Sequence, residues 1–244
     1  MMILNNDTVK CISANSRMCP IIHTAVSFLL LVMILLMLPS KAQAEPLPIM
    51  SEQEAVHLVV DPSKHELTFF IHGRPVKKYR VALGNPATPS PVGQYEVVFK
   101  GKHWGSGFGT RWMGLNVPWG IYGIHGTNRP DSIGHNRSHG CVRMRNRDVE
   151  ELFERVPVGT KVTMLGHVLG GLYREPRRLA EGDAGGDVLL IQNRLQAAGL
   201  YEGECNGRFR GATTTALKRY QRMHGLPEDG VVSKEIYQSL GLWE

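Results

Sequence analysis

Cysteine is scarce in this chain of 244 residues: four in all, with Cys11 and Cys19 near the start and only Cys141 and Cys205 in the remainder. Two thiols cannot build a disulfide framework, and pairing them would cap the one cysteine in a polar, glycine-rich setting, so both are expected free. No two cysteines stand at zinc-ligand spacing, and no second ligand pair accompanies the histidines near Cys141, which weighs against a zinc site. Aromatic residues make up 7% and are not interleaved with a basic patch, which disfavours nucleic acid as a partner. Only one long apolar run exists, about Ala25 to Leu38, and it is shorter than the roughly 20 residues of a spanning helix. Lys10 and Arg17 precede it and Ala42-Gln-Ala44 follows, so residues 1–44 have the form of a secretory signal peptide, with an uncleaved membrane anchor as the alternative. Either reading places the rest of the chain outside the cytoplasm.

What is present is concentrated between His125 and Arg143, where His125-Gly-Thr127 is followed by Ser138-His-Gly-Cys-Val-Arg143. A thiol attacks a carbonyl as thiolate, so it needs an imidazole to take its proton and backbone N–H groups to hold the oxyanion. Cys141 has His125 and His139 as candidate bases, and Gly140 leaves the adjacent backbone free to approach a substrate oxygen. A buried core thiol is the alternative, but Ser, His and Gly are poor neighbours for one. A papain-like protease is excluded by order, because His precedes Cys here and the C-G-x-C-W motif is missing.

His125-Gly126-Thr127 together with Ser138-His-Gly-Cys-Val-Arg-Met144 resembles the signature of the L,D-transpeptidases with a YkuD-like catalytic domain, which cross-link bacterial peptidoglycan. Tyr79 to Gly84, Thr88 to Tyr95, Gly109 to Leu115, Asn146 to Leu152 and Gly159 to Thr163 extend the resemblance over residues 55–166. It implies a cysteine thioester: Cys141 attacks the carbonyl between the diamino acid at position three of a stem peptide and the terminal D-alanine. The amine of a neighbouring stem then takes the acyl group in a 3→3 cross-link. It also implies His125 as base, oriented by the backbone carbonyl of Gly126, no metal or nucleotide cofactor, and carbapenem-type inhibitors. His139, Gly140 and Cys141 are the oxyanion candidates through their N–H groups, and His139 a shaper of the pocket or, less directly, the base. Arg143 has two readings, a fork for a substrate carboxylate or a brace for the loop. Ser138, Trp112 and Tyr95 complete the expected substrate-binding set, with His103, Trp104 and Trp119 as further aromatic or ring candidates. The rival functions are a carboxypeptidase that hands the same thioester to water, and a wall-binding protein with an idle cysteine.

The residues also sketch the architecture. Val56–Asp61, His65–His72, Val76–Leu83 and Gln94–Phe99 are β-branched and aromatic runs separated by turn residues, with further strands expected at Gly114–Val117, Ile121–Ile124 and Val158–Leu165. This spacing predicts a mainly β domain, a sandwich or related sheet, with one helix over Arg147–Arg155. A glycine- and charge-rich stretch then marks a linker over residues 167–178. Beyond it helical periodicity predicts three helices, near Asp187–Ala198, Thr213–Met223 and Ser233–Leu240, with a small core of their own. Leu190-Ile-Gln-Asn-Arg-Leu195, Asn206-Gly-Arg-Phe209 and Gly225-Leu-Pro-Glu-Asp-Gly230 make residues 179–244 similar to the three-helix peptidoglycan-binding domain. Charge divides the same way: residues 45–180 carry a net +6 and residues 181–244 a net −2. The basic part holds Cys141, which suits a carboxylate-bearing polymer of stem peptides and glycan.

Overall fold

The structure is a computed structural model that describes residues 56–170 and 175–244. The leader read from residues 1–44 lies outside them. Ten strands and one helix form the first part: β1 (Val56–Asp61), β2 (Glu66–Ile71), β3 (Arg74–Arg80), β4 (Leu83–Gly84), β5 (Gly93–Lys102), β6 (Arg111–Leu115), β7 (Tyr122–His125), β8 (Asn136–Ser138), β9 (Val142–Arg143), α1 (Asn146–Arg155) and β10 (Lys161–Met164). Eight strands make one mixed sheet in the order β3-β2-β1-β10-β5-β6-β7-β9, and β4 pairs with β8 in a small parallel ladder.

Alternation decides which face goes inward. Leu58 and Val60 on β1 and Leu67 and Phe69 on β2 are fully buried, while their neighbours in sequence are partly exposed. The sheet curls until its edges meet: Ala82, just beyond β3, exchanges both backbone hydrogen bonds with Arg143 on β9, each at 2.8 Å. That contact closes a half-barrel and protects what would otherwise be open strand edges. α1 lies against β6 and β7, burying Val149, Leu152 and Phe153. Lys100 on β5 reaches the helix end, where its ammonium donates to the carbonyls of Phe153 (2.5 Å) and Val156 (2.6 Å), satisfying acceptors that the last turn leaves without partners.

The second part is helical: α2 (Gly186–Ala197), α3 (Gly211–Met223) and α4 (Lys234–Ser239). Leu179, Val188, Ile191, Leu195, Phe209, Leu217 and Tyr237 form a separate buried cluster. Gln192, fully buried, is held by Gly207 N–H donating to Oε1 and by its own amide donating to Arg208 O and Thr213 Oγ1. Arg177 binds Asp183 and Asp187, and Tyr237 Oη donates to the Arg177 carbonyl, so residues at the end of the stretch read as linker are tied to the helices.

Candidate active site

The site is built by three neighbouring strands. Trp112 on β6, His125 on β7 and Arg143 on β9 pair in register and form one row across the sheet. Two residues back on the same face, Gly114 pairs with Gly123, and the parallel β7–β9 register sets Cys141 opposite Gly123. Cys141 and His125 are therefore diagonal neighbours on one face, and the floor beside the sulfur is made of two glycines. Trp112 leans over that floor: a Cβ on Gly123 would stand 2.7 Å from its Cζ2, and one on Gly114 would stand 3.0 Å from its Nε1. Its indole also stacks on the His125 ring at 5.3 Å, and Phe108 meets the same ring edge-on at 5.2 Å.

His125 is 2% exposed, and this enclosure dominates its chemistry. Burial pulls its pKa down to about 4; the carbonyls of Gly126 and Phe108 favour the protonated ring and Arg143 opposes it. Nδ1 lies 2.5 Å from Gly126 O, which fixes the proton on that nitrogen and leaves Nε2 as the basic atom. Cys141 is pushed up by burial, against the Gly123 N–H and the Arg143 charge, which both favour thiolate. Both shifts favour a neutral thiol beside a neutral imidazole. Among the described residues no hydrogen bond joins Sγ to His125 or His139.

A residue that the motif reading left without a role holds the histidine segment in place. Asn146, at the start of α1, accepts from Thr110 N–H (3.3 Å) and Thr127 N–H (3.1 Å) through the same Oδ1. Gly109 and Gly126 are where they are because that oxygen leaves no room: a Cβ would stand within 2.3 Å of it on either one. Beyond its place in the resemblance, the sequence shows only an asparagine before a helix, which reads equally well as a cap.

The structure rearranges part of the expected substrate-binding set. Ser138 is 1% exposed, donates to Cys141 O at 2.6 Å and accepts from Gly140 N–H at 3.0 Å, so it braces the loop and its hydroxyl is closed off from solvent. The same bond engages the Gly140 N–H, which removes it as an oxyanion donor in this conformation. Tyr95 is 8% exposed, donates to Val92 O and lies in the core. Trp112 is buried as the wall behind His125, while His139 is exposed on the loop. Arg143 donates through Nη1 to Arg137 O, and its buried Nε has no partner among the described residues. Trp104 stacks on Trp112 at 5.1 Å and forms with Phe99 and Phe108 an exposed aromatic shelf that leads down to His125; Phe99 and Phe108 were not among the sequence candidates.

Cys205 is a free, partly buried thiol of the helical part, and Cys141 is free as well. Among the described residues no three His, Cys, Asp or Glu side chains converge to hold a metal ion. A cleft of about 470 Å³ lined mainly by Lys77, Lys78, Arg80, Arg145 and Arg147 contains neither Cys141 nor His125, and its two lysines are paired with Glu151 and Glu66.

Residues 55–164 match the family described as "L,D-transpeptidase catalytic domain", and residues 184–240 match "Putative peptidoglycan binding domain". "Putative L,D-transpeptidase YqjB" of Bacillus subtilis is 35% identical over 121 residues, covering 43% of this chain and 69% of that protein. The chain belongs to the L,D-transpeptidase family. "Putative L,D-transpeptidase YkuD" of the same organism is 41% identical over 108 residues, which cover 44% of this chain and 65% of the relative; its Bacillus licheniformis counterpart is also 41% identical, with 64% of its length covered. The chain thus spans just under two thirds of these two members of the family. Among solved structures, the catalytic domain of the Enterococcus faecium L,D-transpeptidase overlaps at a TM-score of 0.41 and 25% identity, covering 46% of this chain and 98% of that one. An L,D-transpeptidase from Mycobacterium smegmatis overlaps at 0.40 and 22%, covering 46% and 59%.

Proposed function

We propose that this protein is an exported transpeptidase that forms 3→3 peptidoglycan cross-links through a thioester on Cys141. The observation that carries the reading is the β7–β9 register, which sets Cys141, the residue just before β9, diagonal to His125 at the end of β7, with the imidazole oriented by Gly126 O. Cys141 Sγ attacks the carbonyl between the diamino acid and D-alanine while its proton passes to Nε2 of His125. The negative charge on the carbonyl oxygen is received by the N–H groups of Cys141 and His139. When the intermediate collapses, the C–N bond breaks, the imidazolium returns its proton to the amine, and D-alanine leaves. The amine of an acceptor stem then attacks the thioester, loses a proton to His125, and the thiolate departs and is reprotonated. No energy source beyond the broken amide is required. Burial holds the His125 ring neutral at ordinary pH, so Nε2 is unprotonated before the thiol proton reaches it. Arg143, charged and with a free Nε beside the pair, is the candidate partner for a stem carboxylate.

The helical part, by its family, would hold the enzyme on the wall, and the basic catalytic part suits an anionic polymer. Imipenem occurs bound to one other member and avibactam as a carbamoyl group on another in their solved structures, and carbapenem-type inhibitors are expected to acylate Cys141. The deciding experiment is mass spectrometry of purified disaccharide tetrapeptides after incubation with the protein. Dimers lacking one D-alanine support the transpeptidase; tripeptides alone make it a carboxypeptidase, and unchanged substrate makes the cysteine idle.

A further inference from the structure

Trp119 connects two things that the sequence keeps apart. It lies in the loop between β6 and β7, is 8% exposed and belongs to the core cluster of the catalytic part. Yet one edge of its indole is covered by the helical part. A Cβ on Gly207 would stand 2.6 Å from Trp119 Cε3, and one on Gly186 would stand 3.7 Å from Cη2. Arg208 Nε donates to the carbonyl of Pro118, the residue before the tryptophan, at 3.4 Å. Leu189 on α2 packs against the catalytic cluster and not against its own helical core.

The other side of the indole leads to the reacting sulfur. Trp119 meets Tyr122 edge-on at 6.5 Å. Tyr122 in turn covers Gly140, whose φ of +113° only glycine adopts readily, and a Cβ there would stand 2.6 Å from the phenol ring. Gly140 is bonded directly to Cys141, and burial raises the Tyr122 hydroxyl above its ordinary value, with the nearby Cys141 sulfur adding to the rise. Packed interiors are stiff, so a wedge at one end of such a stack displaces the other.

We propose that the helical part does more than hold the enzyme on its polymer: docked on Trp119, it fixes Tyr122 against Gly140 and so sets the position of Cys141. This rests on the reading of Cys141 as nucleophile. Trp119 is then a positioning residue, and Gly207 is glycine both for its backbone and for the indole that lies over it. Deleting or undocking the helices would loosen the pocket itself.

Two variants of the full chain test this without touching the catalytic strands: Leu189→Glu, which puts a charge where α2 meets the catalytic core, and Gly207→Leu, which drives a side chain into Trp119. Three quantities are measured for each: the thermal transition, the pH dependence of Cys141 alkylation by iodoacetamide, and the rate of acylation by imipenem followed by intact mass. Both variants are expected to stay folded, to acylate at least tenfold more slowly, and to show a displaced alkylation profile. Trp119→Phe, which keeps a ring at the contact, should stay within a few-fold of the parent. Unchanged acylation and unchanged alkylation profiles in both Leu189→Glu and Gly207→Leu would overturn the proposal. Alkylation requires no turnover, so it reports the geometry of the thiol even if the protein proves not to be a transpeptidase; that reading fails separately, in the assay on disaccharide tetrapeptides.

Discussion

His125 carries the clearest energetic signature of any single residue here. Folded, its pKa lies near 4; unfolded, it returns to about 6.5, so between those values the unfolded chain binds a proton that the folded chain refuses. Stability from this group is complete above pH 6.5 and is lost as pH falls toward 4, by about 3 kcal/mol at the lower limit. Urea unfolding at pH 7 and pH 4.5 should show that loss in the parent and a smaller one in His125→Gln. A pH dependence equal in the two proteins would place the acid sensitivity elsewhere. For chemistry, His125→Ala should slow acylation on the order of 10²- to 10⁴-fold. Cys141→Ala should abolish it and Cys205→Ala should leave it nearly intact, because only Cys141 lies beside a base; equal losses would mean that the nucleophile is misassigned. Asn146→Ala removes one oxygen that two backbone N–H groups share, and should slow acylation roughly 10- to 100-fold by freeing the His125 segment. Asn146→Asp retains the acceptor and should lose less, a difference that a merely destabilised α1 would not produce.

At the scale of elements, the long strands and helices were legible because their periodicity is local. Val56–Asp61 is found as the sequence predicts, and α2 and α3 begin within two residues of their expected starts. β8 and β9, three and two residues long, carry no alternation that a sequence can show. They exist because Ala82 and Leu83 arrive from some sixty residues upstream to pair with them, and that pairing is what orders the cysteine loop. The same distance in sequence hid the fate of Ser138: its carbonyl accepts from both nitrogens of Asn85, which pulls the serine inward. Tyr95 looked like a groove residue because aromatic character does not reveal which side of a strand faces the core. Lys100 is a parallel case, an apparently ordinary surface lysine that holds the end of α1. Lys100→Met should destabilise the protein by about 1 to 3 kcal/mol, since two carbonyls lose a charged donor. Thermal unfolding checks this, and a change well under 1 kcal/mol would mean that water replaces the ammonium at no net loss.

For the whole molecule, the change from strand to helix periodicity beyond residue 166 predicts two units joined by a linker, and a flexible linker would let removal of the helices weaken wall binding while leaving turnover of soluble fragments alone. Contacts across the junction alter that expectation. Truncation after Arg178 would cut Arg177 from Asp183 and Asp187, uncover Leu189's seat on the catalytic core and expose Trp119. Removing apolar cover of this kind loses on the order of 25 cal/mol for each Å² uncovered, in addition to the constraint on Tyr122. The truncated chain should therefore bind insoluble peptidoglycan less and also acylate more slowly on soluble substrates, whereas a variant that lengthens the stretch before Glu175 by several residues should keep both properties, because docking and not chain length sets the geometry. Sedimentation with purified wall and single-turnover acylation separate the two effects. If the truncated chain lost wall binding alone, the helices would be a tether, as the sequence by itself suggested; if it lost acylation alone, they would serve the pocket and not the wall.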